Sequence, residues 1–213
     1  MFLWGLPLGA FAATWFYWPV VQRGGLAFPF YVLSVPFLFA MVVIRTTTRR
    51  LHIWSVKVPM VHLAFLWSTY SALGVLIVGE TIVAPLTVTN LISCVCFSAL
   101  LGFAIGTLID IVAIDQGLLV LHQRPMDRGT VTTVLAYSFQ LFGSFGAVYG
   151  AVAKVGYSLL TEQGATRWLP VLVLCATGAL CLPFMFYFQM LRTSVWTRSR
   201  AGHSLNPSAS PWT

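Results

Sequence analysis

The sequence predicts an all-α, polytopic membrane protein with six transmembrane helices. Only 8% of its 213 residues are charged and 58% are hydrophobic, whereas roughly a quarter of the residues in an average soluble domain are charged. A spanning helix needs about 20 consecutive apolar residues, and the chain contains six apolar segments of about that length. Residues 1–191 are therefore predicted to form one transmembrane domain, and residues 192–213 a polar C-terminal tail.

The six segments follow one another with short polar or glycine-rich connections. The first has no charged side chain before Arg23, so it is predicted to be a retained helix rather than a secretory signal. The second contains Pro29 and Pro36, which kink membrane helices without forbidding them. The fourth is longer than a bilayer crossing requires. The predicted segments are 2–22, 26–44, 58–79, 86–113, 131–153 and 168–190.

The basic residues predict the orientation. Six crossings place both termini on one side, which also receives nine Lys or Arg residues, against three on the other side (Arg23, Lys154 and Arg167). The positive-inside rule then places the termini in the cytosol, matrix or stroma, across a bacterial plasma membrane or an organellar inner membrane. Because the basic residues are dispersed at segment ends, they indicate contact with lipid headgroups rather than nucleic acid. The nine are Arg45, Arg49, Arg50, Lys57, Arg124, Arg128, Arg192, Arg198 and Arg200.

Two stripes of small residues predict that segments four and five pack together. Ser98, Gly102 and Gly106 recur every fourth residue in segment four, and they lead to Asp110. Segment five carries a second small face, formed by Gly143, Gly146 and Gly150. Small residues let helix backbones approach closely in lipid.

The densest mixture of charges follows the first stripe. Ionisable groups inside a membrane usually face a partner or an aqueous path, so Asp110 is the best candidate for a substrate or gating residue. The alternative is that Asp110 lies at the membrane interface and pairs with Arg124 or Arg128. Asp115 lies about 140° around the helix from Asp110, which argues against a pair of catalytic carboxylates. The candidate set is Asp110, Asp115, Arg124, Asp127 and Arg128.

No enzymatic, metal or cofactor motif is apparent. The four cysteines lie in apolar segments without zinc-site spacing. His62 and His122 are the only histidines placed to ligate a haem or chlorophyll between helices, and an ordinary interfacial role is the commoner one for such residues. The sequence therefore predicts a protein that is not an enzyme, with structural lipids and no resident cofactor.

The central stretch resembles a known family. Asp110-Ile-Val-Ala-Ile-Asp115, the loop Arg124-Pro125-Met126-Asp127-Arg128-Gly129 and the glycine-rich helix from Gly143 to Gly150 are similar to helices four and five of major facilitator superfamily transporters, nearest to the folate-biopterin branch. Thr48-Arg49-Arg50 falls where that superfamily has a basic loop, although the acidic residue expected there is absent. The resemblance covers about residues 45–153 and implies one six-helix half, which would need a second half to transport a solute.

Two hypotheses from different classes follow, with a third behind them. The first is a non-catalytic accessory subunit of a larger respiratory, photosynthetic or similar membrane complex, built on a degenerate half-transporter scaffold. The lipid-facing helices would contact other integral subunits. The tail would contact them as well, because its Ser-, Pro- and Asn-rich end does not fold alone. The second is a half-size transporter of a folate- or pterin-like organic anion that works as a dimer. The third is a haem- or pigment-binding helical bundle.

Overall fold

The computed structural model describes residues 25–49, 54–56, 58–121 and 130–193, and this part of the chain is helical apart from one pair of three-residue strands. The two strands lie between helices in the chain order. A π-helical turn, Phe139–Gly143, joins two of the helices, and a 3-10 turn, Ala165–Trp168, precedes the last. The elements are α1 (Ala27–Arg49), β1 (Trp54–Val56), α2 (Met60–Ile77), α3 (Gly79–Val83), α4 (Val88–Asp115), β2 (Leu119–Leu121), α5 (Thr130–Ser138), α6 (Ser144–Thr161) and α7 (Leu169–Thr193).

Three helical stretches in the described residues are long and apolar enough to cross a membrane: Ala27–Thr46, Val88–Asp115 and Ala165–Phe186. A fourth apolar stretch, Met60–Val75, is shorter. These helices confirm the prediction of an α-helical membrane protein. The first predicted segment, residues 2–22, lies outside the described residues.

Helix α1 extends further than predicted, because it continues through Arg49 into residues 45–57, which connect the second and third predicted segments. Arg45 is therefore an exposed helical residue. The same loop also contains β1, which pairs antiparallel with β2, so that Trp54 lies opposite Leu121 and Val56 opposite Leu119. Aromatic and β-branched residues suit such pairing. The strand pair brings the α1–α2 and α4–α5 connections to the same end of the helices.

The fifth predicted segment, residues 131–153, is part of a longer helical stretch that runs through α5, the π-helical turn and α6. This stretch ends at Thr161, eight residues beyond the predicted boundary. Gly164 then adopts a left-handed conformation with φ of 62°. Glycine has no Cβ to oppose that conformation, so it reverses the chain before α7.

Aromatic side chains from four helices form the centre of the core. The fully buried ring of Phe39 on α1 lies with its centroid 4.9 Å from that of Phe145 on α6 and 4.6 Å from that of Phe184 on α7. Trp67 on α2 contacts Phe39 edge-on at 5.8 Å. Such pairs stabilise by about 0.5–1.5 kcal/mol beyond the burial of their area. Contacts among these aromatic residues therefore stabilise the packing of α1, α2, α6 and α7.

Neighbouring helices supply a hydrogen bond where Pro36 interrupts α1. A proline has no amide hydrogen, so Pro36 cannot donate to the carbonyl of Val32, four residues earlier. The hydroxyl of Tyr149 on α6 donates to that carbonyl instead, at 2.7 Å. Ser68 on α2 donates to the next carbonyl, that of Leu33, at 2.5 Å. Satisfaction of a freed carbonyl by an adjacent helix, as Tyr149 does for Val32, is one way in which lipid-embedded helices tolerate proline.

Candidate functional site

The small residues of α4 and α6 lie against each other with their backbones in direct contact. A Cβ added to Gly102 would be 2.6 Å from the carbonyl oxygen of Phe142 and 2.9 Å from the Cα of Gly146. A Cβ on Gly146 would overlap the Ser98 carbonyl, and one on Gly150 would overlap the Ser98 side chain. Only glycine permits this approach at these three positions.

Two glycines of the predicted stripes lie in different surroundings. Gly106 faces the ring of Phe142 rather than a glycine, and an added Cβ would overlap that ring. Gly143 is buried, but an added Cβ would find its nearest atom, the carbonyl oxygen of Ala99, at 3.9 Å. The close backbone contact therefore centres on Gly102, Gly146 and Gly150, and Gly143 is not required for it.

The π-helical turn lies just before α6 in the chain and packs against the second half of α4. In a regular α-helix Tyr137 and Phe142, five residues apart, would point about 140° away from each other. The π-helical turn closes its hydrogen bonds one residue later, and both side chains reach α4: Tyr137 contacts Asp110, and Phe142 contacts Gly106 one turn earlier. Single π-helical turns occur frequently at functional sites.

Asp110, in the second half of α4, is buried, with 5% of its surface exposed. The hydroxyl of Tyr137 donates a hydrogen bond to its Oδ2 at 2.6 Å, a length typical of hydroxyl donors to carboxylates. The sequence-based alternative, an interfacial Asp110 paired with Arg124 or Arg128, relied on residues outside the described part of the chain. Within the described part, Tyr137 is the hydrogen-bond partner of Asp110.

A groove of about 120 Å³ lies between α2 and α4, with α6 and the π-helical turn as its floor. Asp110 is the acidic side chain among its lining residues. Half-buried residues such as Ile105 and Ile109 on α4 form part of its wall, so the groove is open along one side. Its aromatic lining residues are Trp67, Tyr70, Phe142, Phe145 and Tyr149.

The polar groups of the groove have capacity for further hydrogen bonds. An ionised carboxylate has about four acceptor positions, and among the described residues Asp110 receives one hydrogen bond, from Tyr137. The buried hydroxyl of Tyr70 has no hydrogen-bond partner in the described part of the chain. This arrangement can accept a hydrogen-bond donor or a cation. None of these groups forms a nucleophile and general-base pair in the described residues.

The other predicted substrate or gating residues do not join Asp110 in the described structure. Asp115 is the exposed last residue of α4, so the two carboxylates do not share an environment. Arg124, Asp127 and Arg128 lie outside the described residues.

The histidines and cysteines do not form a site in the described structure. His62 is half-buried near the start of α2, and its proposed haem partner His122 lies outside the described residues. In residues 25–49, 54–56, 58–121 and 130–193, no three His, Cys, Asp or Glu side chains are grouped to hold a metal ion. All four cysteines are free, and Cys96 and Cys175 are exposed.

Of the predicted topology residues, Arg45 and Arg49 lie on α1 and Arg192 lies on α7. The others are outside the described part of the chain: Arg50, Lys57, Arg198 and Arg200. The tail beyond Thr193 is also outside it.

Lys154 has a different environment from the one expected for a charge at a segment end. It lies inside α6 with 1% of its surface exposed. Its ammonium group donates to the carbonyl oxygens of Thr81 at 2.6 Å, Ala84 at 2.7 Å and, more weakly, Ile82 at 3.4 Å. Lys154 therefore caps the C-terminal end of α3 from a neighbouring helix.

Sequence reasoning missed Tyr137 and the buried position of Lys154. The signal for Lys154 was present, because a lysine flanked by a glycine- and alanine-rich helix must find a partner in a low-dielectric environment. Tyr137 had no comparable signal. Its contact with Asp110 depends on the π-helical turn, and no pattern in the sequence predicts that turn.

Comparison with known proteins adds no family to these observations. The chain matches no family model, and no curated protein and no solved structure is significantly similar to it.

Proposed function

We propose that this chain is a non-catalytic, multi-pass subunit of a larger membrane complex, and that it packs against other transmembrane helices through α7. The observation that supports this role is the exposure of the long apolar helices. In their most apolar stretches, 17% of the Val88–Asp115 helix and 28% of Ala165–Phe186 are buried, against 56% of Ala27–Thr46. Lipid or other protein must cover the remaining surface.

Helix α7 presents a surface suited to a partner helix. Leu174, Gly178, Leu182 and Phe186 recur every fourth residue on its exposed side. Among the described residues, no atom lies within 4 Å of a Cβ added to Gly178. Because glycine allows helix backbones to approach closely in lipid, Gly178 is the position at which a partner helix would pack most closely.

The proposed topology has six crossings with both termini in the cytosol, matrix or stroma. The asymmetry of basic residues supports it. The pairing of β1 with β2 supports it as well, because that pairing brings the connections after α1 and after α4 to one end of the helices. In the six-crossing arrangement those connections are the two basic loops on the side of the termini.

The experiment is gentle solubilisation of the native membrane, native-gel separation and mass spectrometry of the proteins that migrate with this chain. A Gly178→Leu variant should dissociate from the assembly without losing thermal stability, because a Cβ at this position meets no atom of the described residues. Ala104→Leu, a small-to-large change on the exposed surface of α4, is the matched control and should leave the assembly intact. Migration of the wild-type chain alone would contradict the proposal.

A second candidate function is a half-size transporter that works as a dimer, and the specific observation in its favour is the buried carboxylate of Asp110 beside the groove. Intramembrane carboxylates commonly mark solute or ion pathways. An anionic substrate such as a folate or pterin is less favoured than a cation, because the acidic side chain of Asp110 would repel it. Solute uptake by the purified chain in liposomes would support transport, and uptake that survives Asp110→Asn would contradict this use of the groove.

A further inference from the structure

The groove beside Asp110 combines an acidic group with a mostly apolar wall. Asp110 has 5% of its surface exposed, and most of the surrounding lining residues come from α2, α4, α6 and the π-helical turn. A buried carboxylate is costly unless it is paired or hydrogen-bonded. Because the described residues supply it with a single hydrogen bond, a ligand that donates to Asp110 would satisfy acceptor positions that this part of the chain leaves open.

The aromatic residues of the groove favour a cationic ligand over a neutral one. The rings of Phe142 and Trp67 line the groove with their centroids 5.8 Å apart. The ring of Tyr137, whose hydroxyl donates to Asp110, lies 6.3 Å from that of Phe142. Aromatic faces attract ammonium groups, most strongly where water is excluded. An acidic group and aromatic rings therefore attract the same kind of ligand, and they disfavour an anion.

The size of the groove limits the apolar part of that ligand. Its volume of about 120 Å³ is slightly smaller than an engineered apolar cavity of about 150 Å³ that binds benzene in another protein. One open side leaves room for a ligand that is not fully enclosed. The groove is therefore matched to a single small ring or a short alkyl chain.

We propose that this groove binds a small lipophilic ammonium ion, with the apolar part between α2 and α4 and the ammonium group hydrogen-bonded to the carboxylate of Asp110. Tyr137 positions the carboxylate, and Phe142 and Trp67 surround the ligand. This binding site does not depend on whether the chain is a subunit or a transporter. The ammonium group can belong to a free amine or to a lipid headgroup.

The test is a direct binding measurement on the full chain in nanodiscs made of phosphatidylglycerol, a lipid without an ammonium group. Radiolabelled cyclohexylammonium is the probe, measured by scintillation proximity, and cyclohexanol is the neutral competitor of the same size. We expect saturable binding, with cyclohexanol competing at least about tenfold more weakly. The reason is that cyclohexanol lacks the ammonium group and therefore cannot form a charge-assisted hydrogen bond with the carboxylate of Asp110. Equal competition by cyclohexanol, or no saturable binding, would overturn the proposal.

Two carboxylate variants locate the site. Asp110→Asn should weaken cyclohexylammonium binding by about tenfold or more and leave cyclohexanol binding within about twofold. Asp115→Asn is the matched control, since it removes an exposed carboxylate from the same helix, and it should leave both affinities unchanged. Unchanged binding to Asp110→Asn would refute the assignment.

A third variant, Gly74→Leu, tests the same binding site in case Asp110→Asn does not fold. Gly74 lines the groove, and a Cβ there would make an ordinary 3.5 Å contact with Leu101. Gly74→Leu should therefore fill the groove without disturbing Asp110, and abolish binding of both probes. Retained binding would overturn the site. Addition of phosphatidylethanolamine to the nanodiscs distinguishes the sources: competition indicates a lipid headgroup, and its absence a free amine.

Discussion

The ammonium group of Lys154 donates to the carbonyl oxygen of Thr81 at 2.6 Å, at the point where α3 ends. Pro85 has no amide hydrogen, and Ala84 before it is extended, with ψ of 150°. The last carbonyls of α3 therefore lack helical partners. Lys154 supplies a hydrogen bond to them from α6, so one buried cation connects two elements that are about seventy residues apart in the sequence.

This contact predicts a large effect of removing the ammonium group. Lys154→Met should destabilise the protein by about 2–4 kcal/mol, because it removes a buried donor and leaves the carbonyls of Thr81, Ile82 and Ala84 without it. Thermal or denaturant unfolding in detergent would measure the loss. The control is Arg167→Met, which removes a cation from an exposed position. It should change stability by less than about 1 kcal/mol, the upper value for an exposed cation–π contact such as that of Arg167 with Trp168. A similar loss in both variants would contradict the capping role.

The contact between α4 and α6 predicts different effects at two glycines of the same helical stretch. Gly146→Ala should destabilise by about 1–3 kcal/mol, since its Cβ would overlap the backbone of Ser98. Gly143→Ala should be neutral or slightly stabilising, because its Cβ has space and alanine favours helix over glycine by about 1 kcal/mol. The unfolding midpoints of the two variants give the comparison. Equal losses would show that the close contact is not where the structure places it.

The hydrogen bond between Tyr137 and Asp110 predicts an energetic coupling. Tyr137→Phe should cost about 1–3 kcal/mol, because it removes a donor from a buried carboxyl group. Tyr157→Phe is the matched control: its hydroxyl is buried without a hydrogen-bond partner in the described residues, so its removal should be neutral or stabilising. In a double-mutant cycle, Tyr137→Phe should cost less in an Asp110→Leu background than in the wild type. Additive losses would rule out a direct interaction.

The carbonyl freed by Pro36 predicts a second coupling, between α1 and α6. Tyr149→Phe should destabilise by about 1 kcal/mol or somewhat more, because the carbonyl of Val32 loses its donor. Pro36→Ala restores an amide hydrogen to α1, so the same tyrosine substitution should cost less in that background. Unfolding measurements on the wild type, both single variants and the double variant complete the cycle. An equal cost in both backgrounds would mean that Tyr149 does not replace the missing amide.

Parts of the candidate site could be anticipated from local sequence patterns. The spacing of Gly102, Gly146 and Gly150 marks faces without side chains, and such faces can approach another backbone wherever they occur. Asp110 stands out because a carboxylate in an apolar helix is costly. The partner of Asp110 could not be anticipated, because Tyr137 reaches it through a π-helical turn whose extra residue changes the side on which Tyr137 and Phe142 point.

Composition and apolar segment length by themselves determined that this is an α-helical membrane protein, because in lipid the backbone must satisfy its own hydrogen bonds. Those properties depend on each residue and its near neighbours. Only the tertiary structure decided which side chains satisfy the groups that prolines leave free, where Lys154 is buried, and what surrounds Asp110. These contacts join residues that are far apart in the chain, and their energies depend on distances and exclusion of water that appear only when the helices pack.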